Sequence, residues 1–395
     1  MHARSIVTRF FESALTDIHG GRRRVLVTVV WAAMTGSVVS LSRLARSITA
    51  EDGNAKASIK RVDRLIGHAR IASEVAVTAQ ALLAALCRWL SPLVIAVDWS
   101  AVTPGGTFVE LRAAVVWHGM GRGVTVHQRV YPAAKHGNRM AEQSLLRDLA
   151  RWIPRGTKVI VICDAGFRSP WFRAVESLGW NWIGRLRGRN QIRHDGGVWQ
   201  DAMDWGRSAR VQPWRQSDCE LTRRGRFGCD LVRVRRSRVG RKAYRCPGHG
   251  SMAKAGTEAR ASAREPWVLA HAKALRVLRA DEIVALYALR MQIEEVFRDG
   301  KSLSFGMGVE TGRSRSALRL QALLLIATLA SYLLWHLGQL AEAEGLHRRF
   351  KVTTRDRREL SVIAVAILLC SQRDIPFSPS GVRTLHRRWG ITGEN

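Results

Sequence analysis

Four side chains near the middle of the C-terminal half have types and spacings that could do chemistry. Tyr287, Arg290, Glu294 and Lys301 lie at offsets of zero, three, seven and fourteen. On one continuous helix, at about 100° per residue, these side chains would fall within an arc of ~60°. A carboxylate on such a face can bind a metal ion, and the cations around it can hold phosphates. The spacing therefore indicates metal-dependent phosphoryl transfer on nucleic acid.

Two aspartates upstream stand in a context that suits the same chemistry. Asp98 and Asp164 directly follow the apolar runs Leu93–Val97 and Lys158–Cys163, which predict buried strands that end at the aspartates. Neighbouring carboxylates repel each other unless a cation lies between them. Together with Glu294 they predict a catalytic cluster that ligates two Mg²⁺ ions about 4 Å apart, with Mn²⁺ as a substitute. Taken alone, each aspartate could instead be a turn or cap residue.

The segments around these residues predict the elements that position them. The order is strand, strand, strand, helix, strand, helix, strand, which is the order of the ribonuclease H-like fold and gives an α/β fold class. The strands are predicted at Leu93–Val97, Phe108–His118, Val124–Tyr131, Lys158–Cys163 and Trp180–Leu186, and the helices at Ala141–Trp152 and Ser169–Leu178.

Composition divides the chain of 395 residues into five segments. A basic, mainly-β insertion separates the two parts of the core, and helical regions flank the core on both sides. The Glu294 side chain would lie on one helix, Asp281–Arg298, after a strand at Glu265–Ala270. The predicted boundaries are 1–90 for a helical DNA-binding domain, 91–187 and 263–313 for the core, 188–262 for the insertion and 314–395 for the C-terminal helices.

The charge balance indicates polyanionic partners. Lys and Arg number 63 against 32 acidic residues, giving a formal charge of +31 in a chain that is 46% hydrophobic. That combination describes a folded protein with a positive surface, not a disordered tail. Two helical runs joined by a short turn resemble a helix-turn-helix, and the second would present Lys60, Arg61 and Arg64 to DNA. The alternative is a helical hairpin with a solvated basic face.

The spacing Y-x2-R-x3-E-x6-K resembles the signature of a group of bacterial insertion-sequence DDE transposases, insertion-sequence family four. Members of this group move DNA by cut and paste through a DNA hairpin. The local sequences Val97-Asp-Trp-Ser100 and Asp164-Ala-Gly-Phe167 also resemble this family. The resemblance runs from Lys60 to about Gly312 and is weakest in the insertion and the C-terminal tail.

The resemblance implies a role for each matching residue. The three carboxylates become the metal ligands, and Tyr287, Arg290 and Lys301 become contacts to phosphates near the cut. Trp267 matches the tryptophan that holds a flipped base when the hairpin forms; the alternative is a core tryptophan. Met291 stands where some relatives carry a second tryptophan, which puts a secondary stacking contact in doubt.

The resemblance also implies partners. These are double-stranded DNA at terminal inverted repeats and at the target, and a second copy of the chain in a homodimer that synapses two ends. Two alternatives stay open: a ribonuclease H-like nuclease without strand transfer, and a catalytically silent DNA-binding regulator descended from a transposase. The Arg-rich stretch 223–245 is interpreted as a phosphate-binding surface or a solvated face.

Cysteine usage and hydropathy bear on the cellular location. The six cysteines form no secreted disulfide pattern. Spacings among Cys219, Cys229, Cys246 and His249 match no common zinc motif. The most apolar stretch, Ala322–Trp335, is shorter than the ~20 residues that a membrane-spanning helix needs. We therefore expect a cytoplasmic, nucleoid-associated bacterial protein without a membrane partner.

Overall fold

The computed structural model describes the chain except for residues 37, 120, 189, 237–264, 302–305, 313, 353, 355–358, 373–374 and 392–395. The chain groups into two compact units, each built from several stretches of sequence. The first unit comprises Met1–Leu93, Asp98–Thr157 and Gln292–Asn395, and the second comprises Val94–Val97 and Lys158–Met291. This grouping cuts across the five segments drawn from composition, which therefore remain a prediction.

Five helices open the first unit, as the sequence predicts. The turn between the third and fourth follows from local chemistry: Gly53 takes a left-handed conformation with φ of 74°, and the Asn54 side chain accepts a hydrogen bond of 3.0 Å from the Ala57 N–H. The cap satisfies one of the free N–H groups at the start of the next helix. The helices are α1 Ala3–Ala14, α2 Gly20–Met34, α3 Leu41–Asp52, α4 Ala55–Ile66 and α5 Ile71–Cys87.

A hairpin and a long helix form the centre of this unit. Strands β2 Phe108–Val115 and β3 Val124–Pro132 pair antiparallel, with a bulge after Ala113. Helix α6 covers Arg139–Trp152. The helix Ala317–Ala343, α11, packs on α2 and β3. By length and composition α11 could cross a membrane, but 72% of its most apolar window is buried inside the structure, as in a core helix.

Two further helices complete the C-terminal part of the first unit. Helix α12, Val362–Ser371, packs against α11. Helix α13 covers Pro379–Trp389, within the segment predicted to be helical. It starts with Ser378, whose side chain accepts from the Gly381 N–H at 3.0 Å, and it buries Val382 and Trp389.

In its described residues, the second unit comprises a sheet and three helices. Strand order is β1-β4-β5-β10-β9-β8-β6-β7, where β1 contributes Val94–Val97 to this unit. The β4–β5 pair is parallel and the pairs from β5 to β8 are antiparallel. The strands are β4 Val159–Cys163, β5 Asn181–Leu186, β6 Gln191–His194, β7 Gln200–Asp201, β8 Trp214–Leu221, β9 Phe227–Val234 and β10 Trp267–His271, and the helices are α7 Ser169–Glu176, α8 Ala202–Gly206 and α9 Ala280–Ala288.

Close packing fixes the parallel pair. All five residues of β4 are buried, as is usual for a parallel strand that is covered on both faces. On β5, a Cβ at Gly184 would lie 2.4 Å from the Phe172 ring of α7, so only glycine fits there without a shift. The Phe172 ring also stacks on Trp182 at a centroid distance of 4.0 Å.

The prediction that β1 ends at Asp98 is wrong. Strand β1 covers Leu93–Ala101 and continues three residues beyond the aspartate. Trp99 holds this extension: its ring lies 5.6 Å from Tyr131 of β3, and its Nε1 donates to Glu142 of α6 at 3.2 Å. The extension therefore depends on tertiary contacts rather than on an apolar run.

The prediction of one helix over Asp281–Arg298 is also wrong. Helix α9 ends at Ala288, and a new helix, α10, covers Met291–Lys301. Between them the N–H groups of Leu289 and Arg290 donate to the carbonyls three residues earlier, at 3.1 and 3.0 Å. These bonds are of the tighter 3-10 type and mark the end of α9. The chain passes from the second unit to the first at this point.

Candidate active site

In the first unit, the end of β1 and the end of α10 meet. Asp98 is half-buried, and its Oδ1 accepts a hydrogen bond of 2.8 Å from the Trp99 N–H. Lys301 donates from its ammonium to the Ser100 hydroxyl. Burial lowers the pKa of Lys301, while the negative charges of Glu110 and Asp98 act in the opposite direction. The carboxylate predicted to ligate metal and the cation predicted to contact phosphates therefore lie within electrostatic reach of each other.

Helix α10, which carries Glu294 and Lys301, is fixed at its start. The Gln292 side chain accepts from the Trp117 N–H at 3.3 Å and donates to the Trp117 carbonyl at 2.7 Å. Glu294 itself is half-buried on the first turn. The neighbouring carboxylate, Glu295, pairs with Arg298.

A buried ion pair on β2 fixes the middle of α10, and sequence reasoning missed it. Glu110 and Arg112 are 0% and 3% exposed and pair at 2.8 Å. Arg112 also donates to the Val296 carbonyl at 3.3 Å, and its guanidinium lies 4.8 Å from the Phe297 ring centroid. The available signal was a glutamate and an arginine two apart in an otherwise apolar strand, where they must share one face.

In the second unit, Asp164 ends β4 in a tight turn. Its Oδ1 accepts from the Gly166 N–H at 2.8 Å, and a Cβ at Gly166 would lie 3.0 Å from the same oxygen. Tyr287 is 3% exposed. Burial raises the pKa of the Tyr287 phenol; the positive charges of Arg290 and Arg185 oppose the rise, and the negative charge of Asp164 adds to it. The unit thus gathers one predicted metal ligand and two predicted DNA contacts.

Trp267 lies in the same cluster, at the start of β10. Its ring packs edge-on against Tyr287 at a centroid distance of 5.0 Å. The guanidinium groups of Arg236 and Arg185 lie 4.7 and 5.9 Å from the Trp267 ring centroid. Trp267 is half-buried, so part of the ring can meet a ligand. Arg236 belongs to the Arg-rich stretch 223–245, whereas Arg185 was not predicted, because a single arginine in a strand carries no spacing signal.

The four residues of the Y-x2-R-x3-E-x6-K spacing do not lie on one helical face, which corrects the prediction of a single arc. Tyr287 belongs to α9, Arg290 to the turn, and Glu294 and Lys301 to α10. The predicted site residues are divided between the two units. The first unit contains Asp98, Glu294 and Lys301, and the second contains Asp164, Tyr287, Arg290 and Trp267.

The donor chemistry of Asp98, Asp164 and Glu294 suits a hard divalent cation. All three are half-buried carboxylates, and carboxylate oxygens are the ligands that such ions prefer. In the part of the chain that the structure describes, no group of three or more histidines, cysteines, aspartates and glutamates is close enough to hold a metal ion. The residue types of these three carboxylates therefore fit the ion.

The other predicted residues lie on exposed or partly described surfaces. Lys60, Arg61 and Arg64 are exposed on α4, which packs against α3 and pairs with α11 through Asp63 and Arg319 at 2.7 Å. Of the Arg-rich stretch, residues 237–245 lie outside the described residues.

The insertion cysteines behave as core residues where they are described. Cys219 and Cys229 face each other across β8 and β9 and are buried. Burial raises the pKa of both thiols, that of Cys219 to about 12. Cys246 and His249 lie outside the described residues.

The profile of the Transposase DDE domain family matches residues 89–333. The chain belongs to this family. It is a DDE transposase, an enzyme that cleaves DNA in a metal-dependent reaction. The matched range contains Asp98, Asp164 and Glu294, in the order that the letters DDE give.

Comparison with other proteins adds two findings about the transposase. No curated protein is significantly similar to it in sequence. A cryo-EM structure of the piggyBac transposase synaptic complex with hairpin DNA aligns with 96% of this chain and 79% of its own, at 10% sequence identity and a TM-score of 0.43.

Proposed function

We propose that this transposase moves a bacterial insertion sequence by cut and paste. One strand is hydrolysed at the transposon end, the freed 3′-OH attacks the opposite strand to give a hairpin, the hairpin is reopened, and the 3′-OH joins target DNA. Each step is an in-line displacement at a phosphodiester, so one set of residues can serve all four. The observation that carries the proposal is that Asp98, Asp164 and Glu294 lie in this order within the range matched by the Transposase DDE domain family. The negative charge of Asp98 also acts on Lys301, which supports a site with both a carboxylate and a cation.

Asp98, Asp164 and Glu294 would hold two Mg²⁺ ions, with Mn²⁺ as a substitute. When bound, these ions supply Lewis-acid activation of the attacking oxygen and neutralise charge on the leaving oxygen. Cation binding would also offset the repulsion among the carboxylates and so draw them together. The ribonuclease H-like arrangement of strands in this core is part of the proposal.

Lys301, Arg290 and Tyr287 would hold the phosphates next to the cut. The Ser100 hydroxyl orients the Lys301 ammonium, so the charge is directed rather than freely rotating. The Tyr287 phenol is neutral at physiological pH, as an ordinary tyrosine is, and burial raises its pKa further. A neutral phenol donates a hydrogen bond to a phosphate oxygen, and Arg290 adds positive charge beside it.

Trp267 would receive the base that leaves the stack when the hairpin forms. An aromatic face offsets the lost stacking by ~1–3 kcal/mol. Two observations support this role over that of a core tryptophan: the ring is half-buried rather than buried, and two guanidinium groups lie beside it. Tyr287 sets the ring orientation through its edge-on contact.

The proposed partners are the terminal inverted repeats, target DNA and a second copy of the chain in a synaptic homodimer. Lys60, Arg61 and Arg64 on α4 would contribute end binding from the N-terminal helices, together with the Arg-rich stretch. The net charge of +31 supports a nucleoid-associated, cytoplasmic enzyme held on DNA by phosphate contacts.

The test is a labelled transposon end incubated with protein, Mg²⁺ and supercoiled target DNA. We expect a nick, a hairpin and a joined product in that order, each dependent on the metal. Nicking without any joined product would favour a nuclease and contradict the transposition sequence. The matched control is Glu295→Ala, which removes a neighbouring carboxylate paired with Arg298 and should retain all three products.

A further inference from the structure

One edge of the sheet in the second unit carries more than the predicted site. Strands β4, β5, β10, β9 and β8 are neighbours in that order. From their parallel and antiparallel pairings, the carboxyl ends of β4, β5 and β9 share this edge with the starts of β10 and β8. Asp164 follows β4, Trp267 begins β10 and Trp214 begins β8, so all three lie along the same edge.

At the β8 end of this edge an arginine lies over two tryptophan rings that also contact each other, with centroids 5.9 Å apart. The Arg233 guanidinium lies 4.4 Å from the Trp214 ring centroid and 4.7 Å from that of Trp205. Arg233 is also anchored by a hydrogen bond of 3.0 Å to the Trp205 carbonyl. Trp205 is buried, whereas Trp214 is 46% exposed. The stack therefore fixes Trp214 in one orientation and leaves about half of its surface accessible.

Positive charge is concentrated around the exposed ring. Arg210 and Arg235 are exposed, and the Arg235 N–H donates to the Arg210 carbonyl at 2.7 Å. Burial and the charge of Arg210 both lower the pKa of Arg233. Crowding of like charges beside a fixed, exposed tryptophan is unfavourable in the free protein, and it is relieved by a polyanion. A DNA backbone offers phosphates for the arginines and a deoxyribose face for the ring.

We propose that Trp214 and Arg210 form a second contact with the double-stranded transposon end, about six base pairs from the cleaved bond. Four inter-strand steps of ~4.8 Å separate β4 from β8, which is ~19 Å along the edge. At a rise of ~3.4 Å per base pair this span corresponds to about six base pairs. The position assumes that Asp164 marks the cleaved bond, so it rests on the proposed function.

The first experiment is a hydroxyl-radical footprint on a duplex that carries the transposon end. We expect Trp214→Ala to lose protection about six base pairs from the cut, keep it at the cut, and bind about fivefold more weakly or worse. Trp214→Phe should retain the protection, because it keeps an aromatic face. The matched control is Trp89→Ala, since Trp89 is 44% exposed and should leave this position protected.

The second experiment separates the ring from the charge. Arg210→Ala should reduce the slope of log Kd against log salt by about 0.9, the value for one phosphate contact. Trp214→Ala should weaken binding without changing that slope. Unchanged protection in Trp214→Ala would overturn the proposal. Equal loss of protection at every position, together with a lower melting temperature, would also overturn it and show that Trp214 only stabilises the β8–β9 strand pair.

The footprint is read on binding and does not require nicking. Wild-type protein that protects the end without nicking it would count against the proposed function, and Trp214-dependent protection would still support the second contact. Nicking by the wild-type protein, together with a footprint that is the same in Trp214→Ala, would support the proposed function and contradict the second contact.

Discussion

The two regions that hold the predicted site residues are built differently. In the first unit, Asp98 and Lys301 lie among charged and hydroxyl groups, and the Glu110–Arg112 pair fixes the helix that carries Glu294. In the second unit, Asp164 lies near aromatic rings and guanidinium groups, with Tyr287 packed on Trp267. The two regions therefore differ in chemistry: the first offers carboxylates, an ammonium and a hydroxyl, and the second offers a carboxylate near aromatic rings and guanidinium groups.

The largest expected effect is common to both regions. Asp98→Ala, Asp164→Ala and Glu294→Ala should each reduce nicking by about 10³-fold or more, because each removes a proposed metal ligand. End binding, which depends on other contacts, should persist. Gel-shift and nicking assays on the same preparations check this. Normal nicking by any one variant would show that the substituted residue is not a metal ligand. The region that holds this residue would then contribute less to cleavage than the account predicts.

The next effect concerns the stability of the first region. Arg112→Ala leaves the buried Glu110 carboxylate without its partner, which should cost ~3–5 kcal/mol in the free energy of unfolding. Denaturant unfolding measures it. The double variant Glu110→Gln, Arg112→Met is the control and should lose less, since it removes both charges. Equal losses in the single and double variants would show that packing of α10, rather than the ion pair, matters.

A smaller, step-specific effect is expected in the second region. Trp267→Ala should allow the first nick and reduce hairpin formation by about tenfold, the equivalent of ~1.4 kcal/mol of stacking. A time course on a labelled end resolves the steps, and a melting curve accompanies it. Uniform loss of every product with a large drop in melting temperature would mean that Trp267 is a core residue.

The smallest expected effect concerns the hydrogen bond between Ser100 and Lys301 in the first region. Ser100→Ala removes the hydroxyl that orients Lys301 and should slow joining by about fivefold, the value of one hydrogen bond of ~1 kcal/mol. Nicking and joining rates are compared with those of Ser100→Thr, which keeps the hydroxyl. If both variants behave like the wild type, the orientation of Lys301 does not limit any step.

Local pattern predicts the regular parts of this fold. Helices α1 to α5 follow from apolar periodicity, and β4 follows from an unbroken apolar run. The break between α9 and α10 could not be predicted, because Leu289 and Arg290 are good helix formers and no glycine or proline marks the turn. The extension of β1 depends on the contacts of Trp99 with Tyr131 and Glu142, which lie far away in sequence.

For the candidate site, the sequence allowed the candidate carboxylates to be selected but not the residues that support them. Asp98 and Asp164 could be selected from sequence context, because carboxylates after apolar runs seldom serve packing. Glu294 was selected from its spacing to Tyr287, Arg290 and Lys301. Their supports could not be selected: the Glu110–Arg112 pair lies on a different strand, and its role depends on α10 packing above it.

The central claim is that one set of carboxylates, drawn from both regions, performs cleavage and joining alike. The most direct test supplies a pre-cleaved transposon end with a free 3′-OH to Asp98→Ala and Asp164→Ala and measures joining to target DNA in Mg²⁺. We predict that both variants bind the pre-cleaved end and fail to join it, as they fail to nick. Joining at a normal rate by either variant would contradict the claim and assign that carboxylate to cleavage alone.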